Sequence, residues 1–110
     1  MTTKQRSKTE INPTREWAIG ELRHMVVAAL GEHDAAVWLF GSCARGEVRQ
    51  HSDIDIAILP RDDVPAGFFG ELRADIEDSN IPYDVDLVDL RYAAPALVDE
   101  VWREGMQWRK

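Results

Sequence analysis

The chain has 110 residues, of which 45% are hydrophobic and 30% charged. That is the composition of an ordinary globule, and the length suffices for one core, burying roughly two-thirds of the unfolded surface, with no second lobe. Thirteen Lys and Arg against twenty Asp and Glu leave a net charge of −7. This speaks against autonomous binding to duplex DNA or an anionic membrane, which need cations to displace counterions. The lone Cys43 excludes an internal disulfide.

The expected elements follow in chain order. Met1 to Glu10 is polar and partly basic (Lys4, Arg6, Lys8), and residues 1–11 read as a disordered tail, with residues 12–110 forming the domain. Asn12-Pro13-Thr14 supplies N-cap types and a first-turn proline. Ile19, Leu22, Val26, Ala29 and Leu30 then recur at helical spacing, and Gly31 is a natural C-cap. Gly20 weakens this helix and is expected to permit close packing. Ala36–Phe40 is an apolar, β-forming run that ends at Gly41-Ser42. A turn or short helix through Ala44-Arg45-Gly46 follows. Asp53–Leu59 alternates, with Ile54, Ile56 and Ile58 on one face and Asp53 and Asp55 on the other. Phe69, Leu72 and Ile76 mark a helix over 66–79, with Glu71, Asp75, Glu77 and Asp78 on its solvated side. Tyr83–Leu90 is a third strand, and Pro95 opens a last helix carrying Leu97, Val98, Val101 and Trp102. The order α-β-(short α)-β-α-β-α predicts a single α/β (α+β) domain, a small mixed sheet of three or more strands backed by helices.

Asp53 and Asp55 are an unusual pair. Strands are poor in Asp, like charges on one face repel, and each costs energy to desolvate. A divalent cation between them removes both problems, and Mg²⁺ prefers such carboxylates together with phosphate oxygens. A wet face of an antiparallel sheet fits the same alternation. On the third strand Asp84 and Asp86 share a face, and either completes a trio if the strands are neighbours; Asp89 points the other way and reads as a turn or capping residue. Gly41-Ser42 opens a helical turn straight after a strand. There, backbone N–H groups and a hydroxyl suit a phosphate, with Arg45 one turn on. Three scattered histidines (His24, His33, His51) lack ligand spacing. Trp38 is expected in the core; Trp102 and Trp108 fit either core or a partner surface.

Taken together, Gly41-Ser42-Cys43-Ala44-Arg45-Gly46, Ser52-Asp53-Ile54-Asp55-Ile56 and Val85-Asp86-Leu87-Val88-Asp89-Leu90 resemble the minimal nucleotidyltransferases of the DNA polymerase β superfamily. The likeness is strongest to the MntA-type partners of HEPN-domain toxins and covers about residues 14–106. It implies a nucleotidyltransferase fold. It further implies a Gly-Ser turn that grips a nucleoside triphosphate (Gly41, Ser42, with Arg45 at a less strict position). Asp53, Asp55 and Asp86 would then be catalytic residues holding two Mg²⁺ ions, Asp84 ranking behind Asp86. The implied reaction moves a nucleoside monophosphate, AMP from ATP, onto a hydroxyl of a HEPN RNase toxin, which makes the protein an antitoxin. No added acceptor-binding domain is legible, so the acceptor is expected on another molecule, with homo- or hetero-oligomeric assembly left open. Occlusion of the toxin by binding alone, or transfer to a small molecule such as an aminoglycoside or to an RNA 3′ end, are the competing readings. No signal peptide or membrane span is evident, so the expected location is cytoplasmic.

Overall fold

Strand β1 (Ala35–Phe40) is apolar at every position because both of its faces are covered. Ala35, Val37 and Leu39 pack on one side of the sheet; Ala36, Trp38 and Phe40 pack on the other. In the computed structural model, which describes residues 13–41 and 54–110, this strand is central to a four-stranded mixed sheet. The order is β3 (Val85–Asp89), β2 (Ile54–Pro60), β1, β4 (Met106–Arg109). β1 runs antiparallel to β2 and β4, while β2 and β3 are parallel. Among the described residues the remaining elements are α1 (Pro13–Leu30), α2 (Phe68–Glu77), a 3₁₀ turn (Leu90–Tyr92) and α3 (Pro95–Glu104). The expected tail at 1–11 and the short helix at 44–46 lie outside the described residues.

The isoleucine alternation of β2 sets the layers. Ile54, Ile56 and Ile58 are fully buried with Leu87 beneath α1 and α2. From the helices, Ala18, Leu22, Val26, Leu30, Leu72 and Ile76 meet them. The opposite face joins Ala57 and Leu90 to Val101 of α3. Among the described residues the sheet is therefore sandwiched between two helices on one side and one on the other.

Some expectations need correction. Ala29 is exposed, and Ala18 takes its place in the stripe, one turn before Leu22. Gly20 packs against nothing; a Cβ built there meets no atom within 4 Å. Gly20→Ala is therefore expected to stabilise the fold by about 0.5–1 kcal/mol, read as a rise of several degrees in Tm by calorimetry. An unchanged or lower Tm would contradict the open placement. α2 and β3 are shorter than their expected spans 66–79 and 83–90, because Gly67 turns with φ 85° just before α2 and Leu90 enters the 3₁₀ turn. Gly31 does cap α1, at φ 56°, donating its N–H to the Val27 carbonyl at 3.0 Å.

The largest omission is β4, a fourth strand beyond the expected last helix. It pairs with β1 across a register shift between Val37 and Trp38. Trp108 enters the main core at 8% exposure, and Arg109 donates to the Gly31 and His33 carbonyls at 3.2 and 2.7 Å. Trp102 divides its surface. It is 57% exposed, yet its ring meets Trp38 edge-on at 4.9 Å between centroids. His24, Glu71, Asp75, Glu77 and Asp78 are all exposed.

Candidate active site

One end of the α3 face of the sheet is polar, and the strand registers assemble it. Phe40 pairs with Asp55 in the β1–β2 ladder, and Asp55 pairs with Asp86 in the β2–β3 ladder. Register partners project to the same face, so the two carboxylates stand side by side on strands about 4.8 Å apart. The next row along, Trp38, Ala57 and Val88, is apolar and packed toward α3. Asp55 is half-buried and Asp86 exposed. Side by side, two such charges repel by about 1–3 kcal/mol depending on solvent screening, a cost that a cation removes.

Gly41 follows Phe40 directly, so it sits beside Asp55. Its φ is 74°, in the left-handed region, and it is buried. A Cβ built on it would fall onto the Asp55 carboxylate, 3.1 Å from Cγ and closer still to Oδ2. Glycine is required twice over at this bend: by its torsion and by the space the carboxylate occupies. Backbone brought this near a carboxylate is what a phosphate–metal cradle needs. The donors present suit Mg²⁺, which takes one or two carboxylates and completes its shell with water and substrate oxygens.

The other expected site residues, Ser42, Arg45 and Asp53, lie outside the described residues, as do Cys43 and His51. Among the described residues no cluster of three His, Cys, Asp or Glu is poised around one point. Asp84 precedes β3 rather than belonging to it. Its carbonyl accepts from Ile54 N–H at 3.2 Å, which ties the entry of β3 to the start of β2.

Asp89 stands at the far end of β3 and has a structural task. It caps the 3₁₀ turn by accepting from Arg91 N–H at 3.0 Å and forms a two-pronged pair with the Arg91 guanidinium at 3.0 and 2.8 Å. Burial pushes its carboxyl pKa upward, but the Arg91 hydrogen bonds and the charges of Arg91 and Arg73 outweigh that and hold it below the ordinary value. A lowered folded pKa contributes stability above the unfolded value and loses it as pH falls through the folded one. Asp89→Asn is thus expected to flatten the acid limb of denaturant midpoints between about pH 5 and pH 2. An acid limb as steep as wild type would assign that loss to other carboxylates.

Sequence reading missed Arg15. Its guanidinium lies 5.6 Å from the centre of the Tyr83 ring, just ahead of Asp84 and β3. The only hint was a cation in the first turn of a helix, where the dipole disfavours it.

The mixed sheet thus carries paired strand carboxylates beside a glycine bend. The chain belongs to the polymerase beta nucleotidyltransferase family, whose model matches residues 30–107. Among curated proteins it is similar to the protein adenylyltransferase MntA of Shewanella oneidensis, with 41% identity over 71 residues, 64% of this chain and 50% of that one. The chain spans about half the length of the curated relatives it matches. Among solved structures it resembles a chain of the tri-AMPylated Shewanella oneidensis HEPN toxin in complex with MNT antitoxin. The TM-score is 0.62 at 29% identity, covering 86% of this chain and 71% of that one. A toxin–antitoxin structure with AMP-PNP gives a TM-score of 0.60 at 34% identity, covering 78% and 71%. Among the described residues no helix is long and apolar enough to cross a membrane.

Proposed function

We propose that the protein transfers AMP from ATP to a side-chain hydroxyl of a HEPN-domain toxin and so acts as its antitoxin. The observation that carries this reading is the Asp55–Asp86 register pair beside Gly41, whose torsion and missing side chain let the bend lie directly against the Asp55 carboxylate. Family membership and the likeness to MntA-type adenylyltransferases support it.

Asp53, Asp55 and Asp86 would hold Mg²⁺. When bound, the metal supplies charge neutralisation on the triphosphate and acidifies the attacking hydroxyl. The chain's own groups do the rest. Gly41 and Ser42 bring backbone N–H and hydroxyl donors to the triphosphate, and Arg45 adds a cation. Asp86, exposed at the outer strand, takes the proton of the acceptor hydroxyl at a carboxylate oxygen. The acceptor oxygen forms a bond to the α-phosphorus as the bond from that phosphorus to the bridging oxygen breaks, and pyrophosphate departs. Asp55 is half-buried beside the Gly41 bend.

The test is intact-mass analysis of a co-expressed HEPN partner incubated with ATP and Mg²⁺. An AMP-sized increment on the partner is expected, and chelation with EDTA should abolish it. A partner that is neutralised with no added mass would replace transfer by occlusion.

A further inference from the structure

Arg73 ties α2 to the strand that carries Asp86. Its neighbours Leu72 and Ile76 anchor the helix, buried in the main core together with Leu87 of β3. The stem of Arg73 therefore leaves from a fixed base. Phe69, one turn earlier, sets its direction, with the guanidinium carbon 5.8 Å from the centre of the ring. Phe69 in turn meets Phe68 edge-on, 5.4 Å between centroids. From there Arg73 Nη2 donates to the Leu87 carbonyl at 2.9 Å, in a half-buried contact. The Asp84 carbonyl accepts from Ile54 N–H, so the carbonyls of residues 84, 86 and 88 address β2 and that of Leu87 points away from it. The strand is thus gripped from two sides at adjacent residues: Asp86 by the ladder to β2, Leu87 by the guanidinium.

We propose that Arg73 is a positioning residue for AMP transfer: by holding the Leu87 carbonyl it keeps Asp86 aligned with Asp55. The inference rests on the transferase reading above. Asp86 is exposed, so the backbone that carries it, rather than packing around its carboxylate, sets where it stands. A strand can twist about its own axis, and such a twist swings the side chains of its two faces in opposite directions. The β2 ladder restrains one edge of β3, and buried Leu87 restrains one face. The bond from Arg73, on the side away from β2, opposes the twist directly. Small displacements matter here, because about 1 Å between reacting groups costs about 10²-fold in rate. α2 covers the face opposite Asp55 and Asp86, so Arg73 acts through the backbone of β3 and not on the triphosphate. The Gly41 bend follows β1, two strands away from β3, so loss of Arg73 leaves the nucleotide grip in place.

The test is Arg73→Met, which keeps an unbranched stem to pack on Phe69 but removes the donor and the charge. Hydrogen exchange is read amide by amide on the full chain in metal-free buffer. The Asp86 and Val88 amides, which address β2, are expected to exchange about tenfold faster in the variant, the worth of one hydrogen bond from a cation. The Val37 and Leu39 amides of β1 should keep their wild-type rates. With ATP, Mg²⁺ and the HEPN partner, kcat is expected to fall about tenfold while KM for ATP stays within about twofold. Faster exchange in both strands together, with wild-type kcat below the melting transition, would make Arg73 a contributor to stability alone and overturn the proposal. Wild-type kcat with loosening confined to β3 would overturn it too, and leave the transferase reading intact. So would a raised KM for ATP at unchanged kcat, which would place Arg73 on the nucleotide. A wild-type protein that transfers to no acceptor would sink the transferase reading and the positioning role with it, whereas exchange faster in β3 alone would still establish the tether.

Discussion

Asp86→Asn is expected to lower kcat for AMP transfer by about 10³-fold or more while leaving the protein folded. Metal-centred charge stabilisation is worth several kcal/mol, and each 1.36 kcal/mol is tenfold in rate. On the proposed reading, the amide lacks both the metal-binding oxygen and the proton-accepting carboxylate that Asp86 would supply. Stability should move the other way. Asp55 and Asp86 are register partners on one face, so neutralising one removes a like-charge contact. In metal-free buffer the variant should unfold at or above the wild-type Tm. Asp55→Asn should match it in kcat. Single-turnover transfer and calorimetry in EDTA separate the two effects. Wild-type turnover in the Asp86 variant would remove this carboxylate from the chemistry. A large drop in Tm would make its role structural.

Gly41→Ala is expected to damage both the fold and the site. A left-handed torsion costs an L-residue roughly 1–2 kcal/mol, and the φ here is 74°. In a domain of this size that corresponds to a fall in Tm on the order of 10 °C. The added methyl also meets the Asp55 carboxylate, so that side chain must shift from its place to admit it. Displacing a reacting group by about 1 Å costs about 10²-fold in rate. The variant should therefore lose turnover even at temperatures where it remains folded. Full activity in a folded Gly41→Ala protein would mean that Asp55 moves aside without consequence, and the proposed geometry would fail.

Much of this arrangement is legible in the residues themselves. The period-two pattern Ile54, Ile56, Ile58 sets the buried face of β2 and so forces Asp55 to the other. The uninterrupted run in β1 marks a strand covered on both sides. Pro13, Gly31 and Pro95 bracket helices by their torsional limits, and the structure begins or ends helices at each. What failed were features whose energy comes from distant partners. Met106-Gln107-Trp108-Arg109 has no strand pattern of its own; it is a strand because β1 offers it a free ladder and the core accepts Trp108. Gly20 gave no sign that its helix face meets open space.

The sequence alone determined which chemistries were available: strand carboxylates, a glycine bend, an acidic surface and the order of the elements. Only the tertiary structure decided that Asp55 faces Asp86 rather than Asp84, because that depends on the parallel register of β2 and β3. Register is a long-range choice, fixed by how two isoleucine and leucine faces meet under α1 and α2, and no local spacing encodes it. Among the described residues, the end position of β3 in the sheet arises in the same way, from packing between segments far apart in the chain.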